Sequence, residues 1–146
     1  MNGDVRKEFI MTVKMTLEQR KIFEMGAKWS FDLLAEHIKK NWSKECETVD
    51  EKRDFIFDIW SFIEGFAHGL YYQKMEEYYQ KNNISEDDQF YFDEGVMAHN
   101  YYVKFCMTEH ENWWINAVID VKKYFSGEVS FIPNKIYKNF KDYVEK

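Results

Sequence analysis

A chain of 146 residues suits one hydrophobic core that needs no disulfide or metal staple. One proline and six glycines leave little material for disordered linkers or a turn-rich β fold. A net charge of −6 argues against general attachment to phosphate backbones, so direct nucleic-acid binding is not expected. The composition predicts an all-α, single-domain bundle of about five helices over residues 1–146. Its unusual feature is a 19% aromatic content, with 13 Phe, 10 Tyr and 5 Trp. Such rings serve interfaces as well as cores.

Residues 1–15 alternate apolar and polar positions with a period of two (Phe9, Met11, Val13, Met15), which reads as a short strand or an arm. The first helix is expected over 16–41. Thr16 and Gln19 have the spacing of a capping box, and Phe23, Ala27, Phe31, Leu34 and Ile38 form an apolar stripe beside a second one of Ile22, Met25, Trp29 and Leu33. A helix apolar over so much of its circumference is central or faces another chain.

The second helix, 48–81, starts at the Thr48–Glu51 box and carries Phe55, Ile59, Phe62, Phe66 and Leu70, with a kink expected near Gly65 and Gly69. Asn82 and Asn83 supply a turn. The third, 85–107, opens at Ser85 and places Phe92, Val96, His99, Val103 and Cys106 on one face. Thr108 to Glu111 form another box, so a fourth helix is expected over 108–126 and ends at Ser126-Gly127. Pro133 then opens a last helix over 133–145.

The capped starts repeat. Thr16, Phe23 and Gly26 share their spacing with Ser85, Phe92 and Gly95, while Thr48 is followed by Phe55 and, one heptad later, by Phe62 and Gly65. The pairs Phe23 with Gly26, Phe62 with Gly65 and Phe92 with Gly95 are expected to mark close helix packing, and duplication of a helical hairpin is one reading of the repeat.

Chemistry-bearing motifs are sparse. Glu64-Gly65 with Ala67-His68 resembles Glu94-Gly95 with Ala98-His99, so a metal-binding or small-molecule-binding bundle, with or without enzymatic turnover, would draw on Glu64, His68 and His99. The Glu-x-x-His spacing of di-iron bundles and the His-Glu-x-x-His of zinc proteases are both missing, which favours structural roles for these histidines. His37, beside Glu36, is read as a polar surface residue. Cys46 and Cys106 lack a C-x-x-C spacing and are read as structural. No catalytic residue, resident metal or cofactor is assigned.

The favoured function is therefore non-enzymatic protein binding, of the adaptor or inhibitor type. An acidic stretch interleaved with aromatics is its expected surface: Glu76, Glu77, Tyr78, Tyr79, Glu86, Asp87, Asp88, Phe90 and Tyr91. A homodimer and a protein partner are expected. No apolar run approaches a membrane span, no secretion signal is legible, and a cytoplasmic location follows as the expectation. The motif-free, Lys/Asn/Ile/Tyr-rich usage suits a viral accessory protein acting in the host cytoplasm.

Overall fold

The computed structural model describes residues 15–42, 48–67, 69, 71–109, 120–131, 136 and 138–139. The protein is all-α, and among those residues every regular element is a helix. The helices are α1 (Leu17–Asn41), α2 (Val49–Ala67), α3 (Tyr72–Lys81) and α4 (Glu86–Glu109). Residues 120–125, 136, 138 and 139 are also helical. The rest of the two helices expected over 108–126 and 133–145 lies outside the described residues, as does the strand or arm expected over 1–15, Met15 apart.

Local chemistry sets the helix starts. The Thr16 amide donates to Gln19 Oε1 at 2.9 Å while the Gln19 amide donates to Thr16 Oγ1 at 3.2 Å, a reciprocal box that satisfies donors left over by the first turn of α1. Thr48 Oγ1 accepts from the Glu51 amide at 3.1 Å, and Ser85 Oγ accepts from the Asp88 amide at 3.2 Å.

Two expected boundaries are corrected. The helix expected over 48–81 is two helices. Gly69 adopts φ +73°, a left-handed conformation that helix geometry does not permit, and α3 begins only at Tyr72, whose amide donates to the Gly69 carbonyl at 3.2 Å. The second correction concerns Thr108, expected to cap a new helix. It lies in the last turn of α4, where its hydroxyl donates backwards to the carbonyls of Lys104 and Phe105 at 3.0 and 3.2 Å. A threonine hydroxyl can serve either a following amide or a preceding carbonyl, and here the continuing helix offers the carbonyls.

The chain divides into two compact units. One comprises Met1–Ser30, Ile84–Tyr102 and Ile132–Lys146, the other Phe31–Asn83 and Val103–Phe131. In the first, α1 and α4 meet at glycines. A Cβ on Gly26 would overlap the Phe92 carbonyl and lie 2.9 Å from its carbon, while a Cβ on Gly95 would overlap the Phe23 carbonyl and lie 2.9 Å from the Ala27 nitrogen. Backbone therefore packs on backbone, which only a residue without a side chain allows. Phe23, Ala27, Phe92, Val96 and Ala98 are buried around the contact, and Trp29 packs on Phe92 with ring centroids 5.7 Å apart.

The second unit has its own core of Leu34, Ala35, Ile38, Phe55, Ile59, Ile63, Val103 and Val121, flanked by Phe31, Trp42, Ile56, Phe62, Met107 and Tyr124. Burial of a side chain of this size contributes about 1.5–3 kcal/mol, so the cluster is the unit's main source of stability. The 120–131 segment is held to α1 by the Tyr124 hydroxyl, which donates to Asp32 Oδ1 at 2.6 Å, by Phe31 packed edge-on to Tyr124 and tilted on Phe131, and by Lys39 Nζ 4.4 Å from the Phe125 ring centroid. Gly127, at φ +82°, turns the chain out of helix 120–125.

Candidate functional site

Three constellations have the chemistry to be sites, and their geometry separates them. In the first unit Ser30 and His99 are both buried, with Ser30 Oγ 2.9 Å from His99 Nδ1 and 3.3 Å from Asn100 Oδ1. The hydroxyl has one proton. Where it is donated to Asn100 Oδ1, Ser30 accepts from His99 carrying its proton on Nδ1.

The second constellation lies in the other unit. Asp58 Oδ2 accepts from His37 Nε2 and from Trp42 Nε1, each at 2.8 Å. Asn41 Nδ2 donates to the His37 carbonyl at 2.9 Å and faces His37 Nδ1 at 3.3 Å. The His37 ring lies 4.6 Å from Phe62, which in turn lies 5.4 Å from Tyr71. Burial, and secondarily the negative charge of Asp58, raise the Tyr71 hydroxyl above the ordinary tyrosine value. With both imidazole nitrogens engaged, His37 is a tie between α1 and α2. His37 is thus not the polar surface residue expected from the sequence.

The third constellation is the outer face of α2. Phe55, Ile59 and Ile63 point into the core, and at 100° per residue Val49, Arg53, Phe57, Trp60 and Glu64 fall on a flank of the helix within roughly 80° of arc, its centre about 120° round from the core-facing residues. Val49 is 80% exposed, Phe57 74% and Trp60 40%. Lys104 borders this face, with Nζ 3.0 Å from Glu64 Oε1 and 5.2 Å from the Trp60 ring centroid. Large apolar side chains held out on one helix face, rimmed by charges of both signs, have the anatomy of a protein-binding surface.

The residues singled out from the sequence are placed as follows. Phe23, Gly26, Phe92 and Gly95 come together at the α1–α4 contact, whereas Gly65 is buried within α2 and Phe62 packs on His37 and Tyr71. Of the metal alternative, Glu64 is paired with Lys104, His99 with Ser30, and His68 lies outside the described residues. Among the described residues no group of three His, Cys, Asp or Glu side chains is arranged to hold a metal ion. In the acidic stretch Glu76, Glu77, Glu86, Asp87 and Phe90 are exposed, Tyr78, Asp88 and Tyr91 half-buried. Phe90 and Tyr91 stack edge-on with centroids 5.3 Å apart. Tyr79, expected as a surface anchor, is corrected: it is 5% exposed, because on the short α3 it shares the inward face with Met75 four residues earlier.

Sequence reasoning missed the α2 face. Its signal was present: Phe57 and Trp60 fall outside the stripe of Phe55, Ile59 and Phe62, so that helix carries more large apolar residues than its inward face can hold. No family, no curated protein and no solved structure matches the chain.

Proposed function

We propose that this protein acts by binding another protein, as an adaptor or inhibitor would, and that the outer face of α2 is the surface that does so. The observation that carries the reading is the exposure of Phe57 and Val49, with Trp60 beside them, on a helix whose Phe55, Ile59 and Ile63 are already committed to a core. Keeping such groups in water is unfavourable by about 25 cal/mol per Å² of apolar surface, a loss that association recovers. Trp and Arg, both present on this face, are the side chains over-represented among residues that dominate binding energy.

The test is affinity capture from the native host with the wild-type chain and with Phe57→Asp. Because Phe57 lies in solvent, the substitution should leave helicity and thermal stability within about 0.5 kcal/mol of wild type. Specific captured proteins should fall by about tenfold or more. Equal capture by the two chains removes the α2 face from the reading.

A further inference from the structure

The charges on the outer face of α2 say which partner fits it. Along the stripe the order is Val49, Arg53, Phe57, Trp60, Glu64, spanning roughly 22 Å at 1.5 Å per residue. When two copies of one helix pack antiparallel about a two-fold axis, residue i of one meets residue j of the other, with i + j constant. Setting Phe57 opposite the partner's Trp60 gives 57 + 60 = 117, and Arg53 opposite the partner's Glu64 gives 53 + 64 = 117. One axis, between residues 58 and 59, thus satisfies the aromatic pair and the ion pair together, and symmetry makes each of them twice. A parallel pairing would instead set Arg53 against the partner's Arg53 and Glu64 against the partner's Glu64, opposing like charges.

We infer that the occupant of this face is a second copy of the chain, and that α2 packs on the α2 of its partner antiparallel about an axis between residues 58 and 59. The inference rests on the reading of the α2 face as a binding surface and names its partner. The symmetric contact is isologous and closes on itself, so it yields a dimer and not a filament. Phe57 and Trp60 sit at the centre, where desolvation is most complete, and the two Arg53–Glu64 pairs lie toward the ends. Glu64 pairs through Oε1 with Lys104 of its own chain, and as a half-buried carboxylate with two acceptor oxygens it has the capacity to accept from the partner's Arg53 as well. The present partner of Arg53 is Asp50 at 3.3 Å, with both side chains more than two-thirds exposed, and such a pair contributes little and exchanges readily.

Sedimentation equilibrium over a range of protein concentrations tests this, on wild type, Arg53→Glu, Glu64→Arg and the double charge swap. Wild type should dimerise, each single reversal should weaken the dimer by about tenfold or more through two like-charge contacts, and the double swap should recover most of the loss. A wild-type chain monomeric at every concentration overturns the inference, and so does a double swap no better than the single reversals. Should Glu64→Arg fail to fold because Lys104 loses its partner, Phe57→Asp decides: a dimer that survives it does not use this face. A monomeric wild type whose capture of another protein still depends on Phe57 would end the homodimer and leave the broader reading of the face standing.

Discussion

At the scale of single residues, Asp58 ties two elements of the second unit together. One of its oxygens accepts both the Trp42 indole and the His37 imidazole, which joins α1 to α2 at the edge of the core. Removing the carboxylate strands two donors in a half-buried place, each costing on the order of 1–3 kcal/mol. Asp58→Ala should therefore lower the unfolding free energy by about 2 kcal/mol in urea titration, and Trp42 emission should shift as its indole N–H loses its acceptor. A smaller loss than from an exposed acidic residue such as Asp54→Ala would contradict that role. The sequence offered only a weak cue here, an acidic residue between Phe55, Ile59 and Phe62, because the residues that meet it lie 16 and 21 positions away.

At the scale of elements, helix boundaries were legible wherever they depend on a few neighbouring residues. The boxes at Thr16 and Thr48 and the cap at Ser85 open helices because a side-chain oxygen three residues before an amide is geometry that short-range sequence specifies. Interruption was harder to read. Gly69 has the conformational freedom to end a helix, but Gly26, Gly65 and Gly95 have it too and remain helical. The positive φ of Gly69 makes a prediction. Among the described residues an alanine Cβ there meets the Tyr72 ring at 3.8 Å, an ordinary contact, and the cost set by the positive φ is conformational. Gly69→Ala should destabilise by about 1–2 kcal/mol, read from the thermal midpoint with little change in helicity. A neutral or stabilising substitution would mean that α2 and α3 can join.

At the scale of the whole molecule, the raised Tyr71 hydroxyl couples stability to pH. Its folded value lies above the ordinary 10.0, so in alkali the unfolded chain loses that proton first. Stability from this group is complete below the unfolded value and is lost as pH rises through the folded one. Denaturant midpoints should fall as pH passes 10, and Tyr71→Phe should flatten the fall. An identical alkaline slope in the two chains would mean that burial at Tyr71 does not favour the neutral form. Among the described residues most carboxylates are exposed, so the same variant should leave the acid limb unchanged.

By itself the sequence determined the all-α class, the three capped helix starts and the inward stripes of α1 and α4, with Phe55 and Ile59 of α2, since periodicity and capping are decided within one or two turns of chain; the Phe66 and Leu70 side chains expected beside them lie outside the described residues. The tertiary structure alone decided what those faces meet. Phe23, Gly26, Phe92 and Gly95 stood out as a repeat, yet only the fold sets backbone against backbone there; Tyr79 turned inward and Phe57 outward for the same reason. A helix presents every side of its circumference to solvent until something packs on it, and the packing partner is a long-range fact that no local pattern contains.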